Sequence, residues 1–367
     1  MKRPFKRGLA VILSLVLYFL PGCSATEPAA ASEQTVKPSA APEYSEPQGK
    51  VYFSYFDTAS YIYSYAGDSP EQFDENCRAL SNLLNDYHQL FDIYHEYTDV
   101  NNLCTINRQA GGEPVKVDSR LIEFLQYAKY LYDETDGEMN VMLGPVLKIW
   151  HEARTLALDE PDKATVPELT LLQKANEHTD ISLLEIDTEA STVRISDPDA
   201  SIDVGALGKG YATEMAARWL EKQNISAYVL NIGGNIRIVG TRPDGTGWTA
   251  GIKDPDNPQS DMARKLSIAN VACVTSGNYE RFYTVDGVRY HHIVDKDTLF
   301  PSEHFASVTV ITPDSALADG LSTALFCMTV EEGMALAERL GNVEVLWITD
   351  SGEQIGTPGI DALTVTD

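Results

Sequence analysis

The sequence predicts an α+β fold, with mostly antiparallel sheets and packed helices. Many short, β-prone segments separated by turn residues occupy the second half of the chain, which is typical of hairpins. Amphipathic helical patterns are gathered in runs and do not alternate regularly with strands, which argues against a doubly wound parallel sheet. The chain shows no internal repeat.

The first half of the chain supplies most of the predicted helices. Residues 51–65 are aromatic and β-prone, and predict either a strand pair or one long strand. Leucine spacing predicts amphipathic helices over 70–92 and 119–135, the second capped by Asp118 or Ser119. A third helix is predicted over 206–223, after a glycine-rich entry.

The second half supplies most of the strands. Helices are predicted over 314–328 and 331–340. The predicted strands are AYVLNI, IRIVG, WTAGIK, SIANVACV, ERFYTV, SVTVIT and VEVLWIT.

The N-terminus has the pattern of a bacterial lipoprotein signal over residues 1–22. Four basic residues precede an apolar run from Leu9 to Leu20, which is too short to span a bilayer. Leu-Pro-Gly then leads to Cys23, a candidate for lipidation; an ordinary cleaved signal with a chance cysteine is the alternative. We therefore expect an extracytoplasmic protein that a lipid anchor holds to a bacterial membrane.

Residues 24–50 are rich in Ala, Pro, Ser and Glu, so 23–50 is predicted to be a lipidated cysteine followed by a flexible tether. Residues 51–367 remain for the globular domain, and they are long enough to bury a large core.

Charge and cysteine spacing narrow the class of protein. The chain has 28 Lys and Arg against 54 Asp and Glu, a net charge of −26 that argues against a nucleic acid partner. For most of these carboxylates, plain solubility is the simpler reason. Cys77, Cys104, Cys273 and Cys327 form no zinc-binding pattern, and could be buried thiols or include one disulfide.

Two glycine-rich segments are candidate anion sites. Asp203 to Tyr211 (DVGALGKGY) places three glycines where a strand enters a helix, and free backbone N–H groups there favour a phosphate. The segment matches neither a Walker A loop nor a dinucleotide fingerprint, and a tight turn explains it equally well. The double glycine of Asn231 to Asn235 lies between two predicted strands, where a turn or bulge is more common than a binding site.

Two further segments carry reactive side chains. His291 and His292 are adjacent on a predicted strand, so one can face a cleft while the other packs or meets solvent. Asp319 and Thr323 share one helical face and form a hard-oxygen pair suited to Mg²⁺; an Asp319 N-cap is the simpler alternative.

Eight segments together carry a specific resemblance that extends from about residue 51 to the C-terminus. They are FDT (56–58), TINRQAG (105–111), TDGEMNVMLGPVLKIWHEAR (135–154), DVGALGKGYA (203–212), LNIGGNI (230–236), TSGNYER (275–281), YHHIVD (290–295) and ADGLSTAL (318–325). Their succession resembles the ApbE family of FAD:protein FMN transferases, which implies an ApbE-type, T-fold-like arrangement.

The resemblance implies an enzyme that uses Mg²⁺ to cleave FAD and joins FMN through a phosphoester to a Ser or Thr of a partner protein, releasing AMP. It implies metal ligation by Asp319, Thr323 and the Ala206 carbonyl, and assistance from His292 in deprotonating the acceptor hydroxyl. The FAD contacts it implies are Phe56, Glu138, Met139, Asn140, Asp203, Lys209 and Ile293. Phe56, Asn140 and Lys296 depart from the residues most common in the family.

Two other functions remain open at this stage. A flavin-binding lipoprotein would need the apolar and glycine contacts, but not Asp319, Thr323 and a placed His292. An FAD pyrophosphatase would use the same site with water as the acceptor, so the sequence does not separate it from a transferase.

Overall fold

The computed structural model describes residues 47–257 and 262–365. The strands are β1 (Gln48–Tyr55), β2 (Thr58–Ser64), β3 (Val115–Lys116), β4 (Leu184–Asp187), β5 (Thr192–Ile195), β6 (Tyr228–Ile232), β7 (Asn235–Val239), β8 (Trp248–Lys253), β9 (Met262–Ile268), β10 (Ala272–Gly277), β11 (Phe282–Val285), β12 (Val288–His291), β13 (Ser307–Thr312), β14 (Glu344–Ile348) and β15 (Gln354–Gly356). The helices are α1 (Pro70–Phe91), α2 (Leu103–Arg108), α3 (Ser119–Glu134), α4 (Gly144–Asp159), α5 (Leu169–Asn176), α6 (Gly208–Lys222), α7 (Ser315–Cys327), α8 (Val330–Leu340) and α9 (Pro358–Leu363).

An eight-stranded sheet organises the described residues, in the order β1-β2-β6-β7-β10-β13-β14-β15. Each neighbouring pair in this sheet is antiparallel. Smaller antiparallel sheets form from β3-β5-β4, from β8-β9 and from β11-β12. The α+β prediction with mostly antiparallel sheets is confirmed.

The two faces of the large sheet are covered differently. Alternate residues of a strand face opposite sides, and β6 is buried on both sides. Leu230 belongs to the core shared with α1, α3 and α6, whereas Val229 packs with the β8-β9 hairpin. Helices α7 and α8 cover the part of the sheet formed by β10, β13 and β14. The sheet is therefore a rigid platform for the loops and helix ends along its rim.

Helix starts follow local capping chemistry. The side chain of Asp118 accepts from the backbone of Arg120 at α3, as predicted, and Asp314 accepts from two amides at the start of α7. By contrast, α6 begins at Gly208 with no cap from its N-cap side chain, and the N–H of Gly210 in its first turn donates instead to Asp319.

The structure divides one predicted strand and shows the state of the cysteines. The segment SIANVACV is not one strand, so that prediction is wrong: Asn270 has φ 51° and turns the chain between β9 and β10. The four cysteines of the described residues are all free and buried, which decides that question in favour of thiols.

The predicted signal, Cys23 and most of the predicted tether lie outside the described residues. Within 47–257 and 262–365, no helix is both long enough and apolar enough to cross a bilayer.

Candidate active site

One cavity of about 270 Å³ collects most of the predicted site residues. It lies between the start of α4, the entry to α6, one face of α7 and the segment that follows β12. The predicted residues that line it are Glu138, Met139, Asn140, Asp203, Ala206, Lys209, His292, Ile293, Asp319 and Thr323. Residues up to 185 positions apart in the sequence thus converge on a single concave site.

The loop before α6 is held by its own side chains. The carboxylate of Asp203 accepts from the backbone N–H of Gly205 at 2.8 Å, and Lys209 Nζ donates to the Gly205 carbonyl at 3.1 Å. Burial raises the pKa of the Asp203 carboxyl, despite this hydrogen bond. The glycine-rich segment is therefore a structured cavity wall as well as a turn.

Gly210 allows the first turn of α6 to touch α7. A Cβ at this position would collide with the Cβ of Asp319 and the carbonyl oxygen of Ser315. Its N–H donates to Asp319 Oδ2 at 2.7 Å. In a regular helix this N–H would bond to the carbonyl of Ala206, but among the described residues no backbone N–H donates to that oxygen.

Asp319 is the buried acidic centre of the cavity. It is 5% exposed, and burial raises the pKa of its carboxyl, while Lys209 Nζ lies 3.8 Å from Oδ2. Thr323 follows it by one turn of α7 and lines the same cavity. The alternative role of Asp319 as an N-cap is wrong, because Asp314 caps α7.

Asn235 adds an unexpected polar group beside this carboxylate. The Asn235 side chain is 2% exposed, lines the cavity and hydrogen-bonds to Asp319. Its Oδ1 atom is buried and has no hydrogen-bond partner among the described residues. A buried acceptor without a donor is costly, by about 1–3 kcal/mol, so a ligand in the cavity would relieve it.

The two adjacent histidines have separate environments. His291 is buried at the end of β12, where Nε2 donates to the Ser302 carbonyl at 2.8 Å and Nδ1 accepts from Ile293 N at 3.2 Å. His292 follows the strand end and projects into the cavity, where water reaches it. Both ring nitrogens of His291 are thus occupied by backbone, whereas His292 faces the site.

The electrostatic surroundings hold His292 in its neutral form. Although part of His292 is exposed to the cavity, desolvation by the surrounding protein, followed by the positive charge of Arg281, holds its pKa well below the ordinary value. A neutral imidazole can accept a proton at pH 7.

The Glu138–Asn140 turn is fixed from both sides. Glu138 forms an ion pair with Lys296 at 3.1 Å, although burial still raises the pKa of its carboxyl. Asn140 donates to the Thr179 carbonyl at 2.9 Å and accepts from Met142 N at 2.9 Å. Both polar atoms of the Asn140 side chain therefore already form hydrogen bonds within the protein. Lys296, which departs from the residue most common in the family, holds the turn through its ion pair with Glu138.

Phe56 is the predicted flavin contact that does not line the cavity. It has φ 52° in the turn between β1 and β2, and its ring packs edge-on against His88. Thr58 of the same turn does line the cavity and touches the Gly233 loop. A flavin contact by Phe56 stays a prediction.

Sequence reasoning assigned no role to two cavity arginines, Arg154 and Arg281. Both lie in quoted segments, TDGEMNVMLGPVLKIWHEAR and TSGNYER, and both line the cavity. These arginines are distinguished by having no carboxylate partner among the described residues. Ion pairing is a property of tertiary structure, so the sequence does not display it.

The fold and this cavity define a class: an α+β protein in which one cleft is lined by a buried carboxylate, two arginines, a lysine and a histidine. The chain belongs to the ApbE family, whose model matches residues 58–347.

Several named proteins are similar to this chain. An FAD:protein FMN transferase of Treponema pallidum is 31% identical over 284 residues, covering 73% of this chain and 76% of the relative. A Vibrio cholerae protein of the same name is 33% identical over 262 residues, covering 70% and 75%. Among solved structures, the ApbE protein of Thermotoga maritima has a TM-score of 0.76 at 25% identity, covering 88% of this chain and 100% of that one. The flavin transferase ApbE of Vibrio cholerae has a TM-score of 0.71 at 26% identity, covering 87% and 99%.

Proposed function

We propose that this protein transfers FMN from FAD to a Ser or Thr hydroxyl of an acceptor protein, with Mg²⁺, and releases AMP. The observation that best supports this reaction is that Asp319, Thr323 and His292 line one cavity in a chain of the ApbE family. Relatives named FAD:protein FMN transferase support the same reaction.

The residues at the α6–α7 contact fit a hard divalent cation. Mg²⁺ prefers oxygen ligands, and three are available: the Asp319 carboxylate, the Thr323 hydroxyl and the Ala206 carbonyl, which accepts no backbone hydrogen bond among the described residues. The unpartnered Oδ1 of Asn235 lies in the same wall. When bound, the ion would neutralise charge on the pyrophosphate oxygens.

His292 is proposed as the general base. The acceptor hydroxyl would lose its proton to the imidazole while its oxygen bonds to the phosphorus of the FMN half. The bond from that phosphorus to the bridging oxygen breaks, and AMP leaves with the electron pair. The lowered pKa of His292 supports this role, because the ring is neutral before the reaction.

The remaining predicted contacts would orient FAD. Lys209 suits phosphate oxygens, while Met139 and Ile293 offer apolar surface to a ring. Asp203 and Glu138 offer acceptors for polar groups of the dinucleotide.

One experiment separates this proposal from its alternatives. The domain beginning at residue 47 is incubated with FAD, Mg²⁺ and candidate acceptor domains, and the products are weighed. Transfer adds the mass of FMN less one water to the acceptor, and mutation of the acceptor hydroxyl abolishes the gain. Free FMN and AMP with every acceptor would establish a pyrophosphatase, and bound but uncleaved FAD would establish a carrier.

We further propose that the protein acts outside the cytoplasm, anchored through acyl chains on Cys23. The basic, apolar and Leu-Pro-Gly-Cys segments at the N-terminus support this location. Acceptor proteins would then be exposed on the same side of the membrane.

A further inference from the structure

Two arginines in the cavity lack the partners that other arginines of this protein have. The arginines that pair with carboxylates in the described residues are Arg108, Arg120, Arg194, Arg218, Arg237, Arg264 and Arg339. Neither Arg154 nor Arg281 has a carboxylate oxygen of a described residue within 4.0 Å. Arg78 and Arg289 also have no carboxylate partner within 4.0 Å among the described residues, but neither lines the cavity, whereas Arg154 and Arg281 do.

Both unpaired arginines face the same space. Arg154 lies on α4 and Arg281 lies between β10 and β11, yet both line the cavity together with His292 and Asp319. Arg154 is half-buried, and its Nη2 is 3.3 Å from Nδ1 of His151. Burial, followed by the positive charge of Arg281, lowers the pKa of Arg154, and a bound anion between the two guanidinium groups would relieve their repulsion.

The electrostatic influence of Arg281 supports the same placement. Its positive charge acts on the two carboxylates Asp203 and Asp319, and also on His292 and Arg154. In the proposed reaction, the transferred phosphoryl group must lie between the metal ligands and the base. Arg281 is therefore near both groups between which that phosphoryl group would sit.

We propose that Arg281 binds the non-bridging oxygens of the phosphoryl group that is transferred, and that Arg154 extends this anion site along the cavity wall. The inference rests on the proposed function and identifies residues that bind the substrate of that reaction. A guanidinium presents paired N–H donors that match two phosphate oxygens, and it stabilises the charge that develops during transfer. No bond to arginine forms or breaks: the acceptor oxygen bonds to phosphorus, AMP leaves, and Arg281 remains hydrogen-bonded throughout.

The test compares ligands that differ in phosphate content. Binding of FAD, FMN and riboflavin is measured by flavin fluorescence and calorimetry for the wild type, Arg281→Gln, Arg281→Lys and Arg154→Gln. Arg281→Gln is expected to weaken FAD and FMN binding roughly 10- to 100-fold, the range for charge-assisted hydrogen bonds, and to leave riboflavin affinity unchanged. Arg281→Lys should recover part of the affinity, since it keeps the charge and loses the paired donors.

Arg78→Gln is the matched control, because Arg78 is exposed on α1 and does not line the cavity. It removes the same charge from the protein and should leave all three affinities unchanged. Increasing salt should weaken FAD binding less steeply in Arg281→Gln than in the wild type.

Several results would overturn the inference. Equal losses for FAD and riboflavin would mean that Arg281 supports the cavity wall or the ring. Unchanged FAD affinity with a raised KM for the acceptor would mean that the arginines dock an acidic acceptor segment. A wild type that binds FAD through Arg281 but transfers nothing would refute the proposed function while leaving the anion site intact.

Discussion

At the scale of single residues, the sharpest contrast is between the two adjacent histidines. His292→Ala should lower the rate of FMN transfer about 10²- to 10⁴-fold, the usual contribution of a general base, while FAD still binds. Transfer kinetics and a parallel FAD titration check this. Loss of FAD binding in His292→Ala would assign the residue to substrate binding instead.

The pH dependence of the rate tests the same residue. A base must be unprotonated, so activity falls as the pH drops through its pKa; because that pKa is lowered, the acid limb of kcat/KM should lie below pH 6.5. The profile of His292→Gln should lose this limb. A limb that survives in this variant would belong to a carboxyl such as Asp319, whose pKa burial raises.

His291 should respond in stability rather than in chemistry. Its removal leaves the Ser302 carbonyl and the Ile293 N–H without their partners in a buried region, so His291→Ala should lower the free energy of unfolding by about 2–4 kcal/mol. Chemical denaturation measures this. At temperatures where the variant is folded, its transfer rate should exceed that of His292→Ala, and an equal loss of rate would contradict the assignment.

Asp319→Asn separates metal binding from folding. Burial raises the pKa of the Asp319 carboxyl despite the nearby Lys209, so the carboxylate is unfavourable in the metal-free protein and this isosteric change should not lower the melting temperature in EDTA. Wild-type protein should gain stability when Mg²⁺ is added, and the variant should gain little. Thermal unfolding with and without Mg²⁺ measures both effects, with the exposed Asp133→Asn as control. A full Mg²⁺ shift in Asp319→Asn would place the ion elsewhere.

At the scale of elements, the close contact between α6 and α7 depends on the absence of a side chain at Gly210. Gly210→Ala would push the first turn of α6 away from Asp319 and Ser315, so we expect both lower stability and weaker Mg²⁺ binding. Gly208→Ala is the control, since its added Cβ would come no closer than 3.3 Å to Phe91 and 3.5 Å to Val204, with no overlap like that at Gly210. Denaturation and metal titration of the two variants should differ clearly, and equal behaviour would mean that α6 shifts freely.

Strong local signals explain which elements could be predicted from the sequence. The helix over Pro70–Phe91 has Ser69 as its cap and a long apolar face, and the strand Ser307–Thr312 is a clean β-prone run. The sequence pattern does not predict the helix over Gly144–Asp159, although the motif TDGEMNVMLGPVLKIWHEAR covers most of it. Its side chains face a cavity on one side, which weakens the amphipathic pattern.

The site shows the same division between local and tertiary information. Motif resemblance identified Asp319, Thr323, Lys209 and His292, and the structure brings all four to one cavity. It could not show that Arg154 and Arg281 are unpaired, or that Asn235 keeps a buried oxygen without a donor. These properties arise only when distant segments pack together.

At the scale of the whole molecule, the described fold separates the chemistry from the proposed anchor. The cavity is built entirely from residues between Thr58 and Thr323, whereas the proposed lipidation site is Cys23. Cys23→Ser should therefore leave the protein unlipidated and its signal uncleaved, without changing the transfer rate on a soluble acceptor. Each buried CH₂ of an acyl chain contributes about 0.8 kcal/mol to membrane binding, so loss of the chains should weaken the membrane association. Fractionation, the intact mass of the protein and transfer kinetics give three independent readouts. Unchanged mass and membrane association would refute the anchor, and a reduced rate in the unlipidated protein would show that the anchor also shapes the active site.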